Sequence, residues 1–183
     1  IIFIAGTSQS LETIASAGAY QSTYAGGETD AVLTRMNQHG LRNWSTYYGG
    51  SGADTSLGLC LDYYNRLFLV GQTTSVDSIG NEDSQQVENS GMTDGFIAAF
   101  DRKGSLLWDT FFGGQSDDQI CDCFAFKDGP VIALGTTESP ELFSLHNLTP
   151  VEPHAGDKDI FAATFSTEGE LINGTFAGGA GDE

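Results

Sequence analysis

The sequence predicts an all-β chain, a wedge of a β-propeller built from about three four-stranded units that repeat every 64–65 residues. Three observations predict it. Four short markers recur three times in the same order. Glycine is abundant, at 24 of 183 residues beside 11% aromatic residues, and proline is scarce at 4. The apolar residues fall in short runs closed by turn signals rather than at helical spacing.

The first marker is Trp44-Ser45-Thr46-Tyr47-Tyr48-Gly49-Gly50, which returns as Trp108-Asp109-Thr110-Phe111-Phe112-Gly113-Gly114 and, eroded, as Asn173-Gly174-Thr175-Phe176-Ala177-Gly178-Gly179. Gly49 to Gly113 is 64 residues, and Gly113 to Gly178 is 65. The second marker is a glycine with hydroxyl residues at Gly6-Thr7-Ser8, Gly71-Gln72-Thr73 and Gly135-Thr136-Thr137. The third is Gly-x-x-Asp, at Gly27/Asp30, Gly91/Asp94 and Gly156/Asp159. The fourth is a lone glycine at Gly40, Gly104 and Gly169. Self-similarity at this period is the signature of a repeat architecture. The units run approximately over 1–48, 49–112 and 113–177, and 178–183 starts a further one.

Each strand has its own signal. Residues 94–100 are an apolar run, ended by the turn Asp101-Arg102-Lys103-Gly104. A second run, 105–112, is rich in Leu, Trp and Phe. After the polar connector 113–118 come strands 119–126 and 130–135, joined by the hairpin signal Lys127-Asp128-Gly129. Four antiparallel strands in tandem make a propeller blade. By analogy with related propellers, 57–63 and 119–126 are innermost, and the Trp-bearing strands 42–48, 105–112 and 170–176 are outermost. The long connectors and the Gly-Gly connectors then share one face. Three blades cannot close a ring of typically about 4–8. The expectation is therefore a piece of a longer chain, with blades on both sides and seven or eight in all.

Charge narrows the function. Acidic residues number 25 against 7 basic ones, for a net charge of −18. Nucleic-acid binding needs clustered Lys and Arg to displace phosphate counterions, so it is excluded, and anionic membrane surfaces are disfavoured. No stretch reaches the roughly 20 apolar residues of a membrane span.

The segment from Ile14 to Ala31 resembles the start of an SBBP-type β-propeller repeat, and the continuation from Gly40 to Gly52 resembles its middle. The second unit keeps the glycines and Trp108, and the third has Asn173 in the Trp position. The resemblance implies a large secreted surface protein of bacteria that use type 9 secretion and often glide. It implies a non-catalytic extracellular scaffold or adhesin, whose partners are surface proteins, secretion-system proteins or glycans. A passive spacer or cargo domain is the second expectation, and a propeller glycoside hydrolase the third.

Candidate site residues lie mainly on the connector face. Asp54, Asp117, Asp118 and Asp182 could supply oxygens to Ca²⁺, although EF-hand spacing is absent and such residues commonly cap turns. No other cofactor is expected. His146 and His154 share one long connector with Glu138, Glu141, Glu152 and Asp157, which makes a His–carboxylate metal site conceivable, while His39 sits in a hairpin turn. Loop histidines are more often plain surface residues. Cys60, Cys121 and Cys123 replace apolar residues of the innermost strands and read as buried thiols. Period-2 alternation puts Cys121 and Cys123 on one face and Cys60 on the opposite one, so Cys60 either meets one of them across the blade interface, where it could pair with it, or points directly away. The aromatic groups around Trp44 and Trp108 read as seals between blades rather than sugar platforms. No Gly-x-Ser-x-Gly elbow is present, and the adjacent Asp117 and Asp118 make a poor hydrolase pair, so no catalytic residue is expected. Sequons stand at Asn43, Asn147 and Asn173, and Asp77-Ser78-Ile79 resembles a bacterial O-glycosylation motif.

Overall fold

The structure, a computed structural model, describes residues 1–127 and 129–181. Its described residues are all-β apart from one 3-10 turn at Ser144–His146. Three antiparallel sheets follow one another along the chain. Sheet 1 holds β1 (Ile2–Ser8), β2 (Asp30–Met36) and β3 (Arg42–Tyr48). Sheet 2 holds β4 (Asp54–Leu61), β5 (Leu67–Thr73), β6 (Asp94–Phe100) and β7 (Leu106–Phe112). Sheet 3 holds β8 (Asp118–Ala125), β9 (Val131–Thr137), β10 (Asp159–Phe165) and β11 (Leu171–Ala177). Strand order within each sheet follows chain order, so every in-sheet connection joins neighbours. Among the described residues, no helix is long and apolar enough to cross a membrane.

The sheets stack face to face around two apolar layers. Ala31, Leu33 and Tyr48 of sheet 1 meet Leu67, Leu69, Phe96 and Phe100 of sheet 2. Phe68, Val70, Ile97 and Phe112 of sheet 2 meet Ile120, Val131, Phe161 and Phe165 of sheet 3. Sheet 2 is therefore covered on both faces, and all seven residues of β6 are buried. That is why 94–100 reads as an unbroken apolar run instead of an alternating one. The ring packing of the two layers repeats. The Tyr48 ring lies 5.1 Å from Phe96 and 5.8 Å from Phe100, and the Phe112 ring lies 5.5 Å from Phe161 and 5.3 Å from Phe165. Each such ring contributes on the order of 1.5–3 kcal/mol by burial.

The two tryptophans fasten each sheet to the hairpin of the next. Trp44 Nε1 donates to the Arg102 carbonyl at 3.2 Å, and Trp108 Nε1 donates to the Thr167 carbonyl at 2.8 Å. Their rings lie flat over Gly104 and Gly169, where an added Cβ would come within 3.1 and 2.8 Å of the indole carbons. Those glycines also have φ of +89° and +94°, a backbone state that side-chain-bearing residues adopt at a cost. Each hairpin is closed by the side chain that opens it: Asn37, Asp101 or Ser166 accepts the N–H groups two and four residues on.

One local feature corrects the sequence expectation. The register slips between Ser56 and Gly58 in β4 and between Ile120 and Asp122 in β8, so each strand carries a bulge. The extra residue, Leu57 or Cys121, turns outward and is exposed. A bulge reverses alternation. Cys121 and Cys123 therefore do not share a face: Cys123 is buried between sheets 2 and 3 while Cys121 is exposed, not a buried thiol.

Replacing Trp108 by Ala is expected to cost about 3 kcal/mol, because a ring between two sheets leaves a cavity. Trp108→Phe keeps the ring and loses one hydrogen bond, for about 1 kcal/mol. Urea midpoints that rank the two variants the other way would remove this account of the inter-sheet fastening.

Candidate functional site

The connectors gather at the end of the sheets where β2, β4, β6, β8 and β10 begin. Each of these strands opens on an aspartate: Asp30, Asp54, Asp94, Asp118 and Asp159, none more than 1% exposed. A connector that turns sharply leaves several backbone N–H groups without a partner, and a carboxylate accepts several at once. Asp94 accepts from the N–H groups of Ser90 (2.9 Å) and Gly91 (3.2 Å), and Asp30 accepts from Ala25 at 2.9 Å. Asp54 accepts from Gly50 N–H at 2.8 Å, from Ser75 Oγ at 2.9 Å and from the Thr73 hydroxyl. Asp118 accepts from Gly114 N–H at 2.6 Å and Ser139 Oγ at 2.9 Å.

A glutamine completes the network, and sequence reasoning missed it. Gln86 Nε2 donates to Asp94 at 2.8 Å while its Oε1 accepts from Gly113 N–H at 3.0 Å. Gln21 makes the same bridge between Asp30 (3.0 Å) and Gly49 (3.1 Å). Their 65-residue separation was the available signal. In the third unit Glu152 takes the glutamine position, as its N–H bond to Thr175 Oγ1 shows, and is exposed. His154 fills the space instead, with Nδ1 3.9 Å from Asp159 Oδ2 and its side chain only 6% exposed.

Burial dominates the electrostatics. Loss of solvation pushes Asp54 and Asp94 up to about 6, against the hydrogen bonds that pull them down. The same cause raises Asp30, Asp109 and Asp118. Burial lowers His146, whose ring stacks on Phe112 at 5.4 Å. His146 and His154 are thus packing residues against aromatic rings rather than surface loop residues, and His39 alone is exposed in its turn.

Of the proposed Ca²⁺ ligands, Asp54 and Asp118 spend oxygens on connector N–H and hydroxyl donors, as turn caps do. Asp117 lies beside Asp118, and Asp182 lies outside the described residues. Among the described residues, no three His, Cys, Asp or Glu side chains are grouped so as to hold a metal. Asp117 and Asp118 do line a cleft of about 210 Å³ between sheets 2 and 3, with Gln72, Gln119, Thr93, Thr136, Glu138 and Lys158. Lys158 Nζ is 3.8 Å from Glu138 in a partly exposed pair. Asp77 accepts from Ser51 N–H at 2.7 Å, leaving Ser78 exposed beside the buried Ile79. The sequon residues Asn43, Asn147 and Asn173 are exposed.

The cleft departs from the repeat. Glu138 N–H donates to the Asp117 carbonyl as Thr74 N–H donates to that of Ala53, which makes the positions equivalent. Asp118 N–H donates to the Thr93 carbonyl as Asp54 N–H donates to that of Thr29. Asp117, Glu138 and Lys158 therefore stand where the preceding copy has Ala53, Thr74 and Thr93, all neutral. No family model matches the chain, and no curated protein matches it.

The raised carboxylates set the sign of the pH dependence. Asp54 and Asp94, at about 6, lie above the ordinary 3.8, and Asp30, Asp109 and Asp118 are raised in the same direction, so the native state holds more protons between about pH 4 and 6. The stability these groups contribute is fully present below that window and is lost as pH rises through 6. His146 acts oppositely below its ordinary value, but it is one group against five aspartates. The thermal midpoint is expected to rise from pH 8 to pH 5, and a fall over that range would contradict the burial of these carboxylates. Gln86→Glu places a second carboxylate at the 2.8 Å contact with Asp94. It is expected to lower the midpoint by about 10 °C at pH 8, from an unpaired buried charge. The loss should shrink at pH 5, where the pair shares a proton, and a pH-independent loss would refute the bridge.

Proposed function

We propose that the chain is a non-catalytic recognition module: three consecutive blades of a β-propeller of about seven or eight blades, displayed outside the cell, that hold a partner protein or glycan on the acidic connector face. The stacking supports the ring. The sheets approach most closely along β1, β4 and β8, the strands at one edge of the stack. Phe124, Leu134 and Ile160 of sheet 3 are 58%, 40% and 45% exposed at the positions where sheet 2 has Cys60, Val70 and Gly95, which sheet 3 covers. A further blade of the same kind would cover them.

The observation that carries the binding function is the charged cleft. A scaffold position meets the same neighbours in every copy, so its residue changes little unless a neighbour changes with it. Asp117, Glu138 and Lys158 break that rule together, around one opening. Binding residues concentrate on loops held by a rigid frame. The carboxylates suit a partner with amine or guanidinium groups, or hydroxyl-rich sugars fixed by Gln72 and Gln119. A large type 9 secreted surface protein is the setting this reading favours.

The test is binding of the purified chain to glycan arrays and to outer-membrane proteins, compared with the triple variant Asp117→Asn, Glu138→Gln, Lys158→Gln. Loss of at least about tenfold in affinity (about 1.4 kcal/mol) is expected for the variant. Equal binding by both proteins would move the site elsewhere. No binding by the parent chain would favour a passive spacer or cargo domain.

A further inference from the structure

Stacked sheets ordinarily lie about 10 Å apart, too far for a disulfide between them. Between β4 and β8 the spacing collapses. A Cβ built on Gly58 would come 3.0 Å from the Asp122 Cα and 3.1 Å from the Cys121 carbonyl oxygen, so glycine lets the two backbones nearly touch. Cys60 lies two residues beyond Gly58 on the same face of β4, and Cys123 directly follows Asp122.

The two thiols meet in that gap. Cys60 pairs on the ladder with Phe68, and Cys123 Sγ lies 3.4 Å from the Phe68 carbonyl oxygen, to which it donates. Cys60 packs against the apolar layer that contains Cys123. Both are free thiols; Cys60 is half-buried, and Cys123 is 7% exposed. The hydrogen bond with the neighbouring Cys60 thiol, and then burial, push the Cys123 thiol well up, so it stays protonated. Cys121, turned outward by its bulge, is separated from this pocket.

We propose that Cys60 and Cys123 are a dithiol pair that closes into a disulfide between sheets 2 and 3 on exposure to an oxidising disulfide. Cys60, the more accessible thiol, loses its proton and attacks one sulfur of the oxidant. The oxidant's S–S bond breaks, a mixed disulfide forms on Cys60, and the first leaving thiolate takes up a proton. Cys123 then gives up its proton and attacks Cys60 Sγ, releasing the second thiolate, which is protonated in turn. Two cysteine thiols are oxidised and one small disulfide is reduced to two thiols. The bond links residues of different sheets across 63 positions of chain, so it restrains the unfolded state strongly.

The test treats the folded chain with oxidised glutathione at pH 8 and maps its peptides without reduction. The expected product joins the Cys60 and Cys123 peptides, lacks two hydrogens, and leaves Cys121 free to react with maleimide. The thermal midpoint should rise by about 5–10 °C and return on treatment with dithiothreitol. Cys121→Ser should keep both effects, and Cys60→Ser should lose both. A Cys60–Cys121 link, a glutathione adduct that stays on Cys60, or a link without a rise in midpoint would overturn the proposal. The peptide map on the parent chain decides the pairing even if a variant fails to fold.

Discussion

Burial of a β-sheet on both faces is the constraint from which the rest of this structure follows. A sheet between two others must be apolar forward and backward, and β6 is the extreme case, with every residue buried. Its neighbours then need rings long enough to fill the space between sheets. Tyr48 and Phe112 do so from equivalent places, and Trp44 and Trp108 close the margin over the hairpin glycines. Once the sheets are held this closely, the connectors at their ends are compressed as well. Their N–H groups turn inward, and the buried aspartates with their glutamine bridges are the answer to that compression.

The repeat acts as an internal control on every residue. Tyr48 carries a hydroxyl, and Asp109 of the next sheet accepts it at 3.0 Å. Phe112 has no hydroxyl to satisfy, and the position equivalent to Asp109 is Gly174, whose open side is filled by the Phe143 ring. One change is matched by the other, which is how a packed layer tolerates variation. The Glu152 and His154 exchange in the third unit follows the same logic, with a ring taking the room of an amide. In the cleft, Glu138 and Lys158 offset each other as a partly exposed pair, while Asp117 has no matching cation among the cleft residues.

Much of the fold was legible because it rests on short-range chemistry. Turn glycines, capping side chains and apolar runs are local, and the period multiplies their signal. The role of the strand-head aspartates was half legible: Gly-x-x-Asp marked Asp30, Asp94 and Asp159, but nothing local pointed to Gln21 or Gln86, which reach their partners across a turn. His146 and His154 depart from the expectation for a related reason, while His39 sits exposed in its turn as expected. A loop residue is exposed unless an aromatic ring waits for it, and Phe112 and Phe176 come from other strands.

The amino-acid order alone determined that this chain is β-rich, repeats every 64–65 residues and lacks the basic clusters that nucleic acids need. Those properties are sums over composition and neighbours, so they survive without coordinates. Only the tertiary structure decided which thiols meet, which carboxylates are buried and which cleft carries charge. A single bulge residue shifts the strand face of all that follow it, and a single glycine decides how near two sheets come. Both effects are set by the partner strand, which lies far away in the chain.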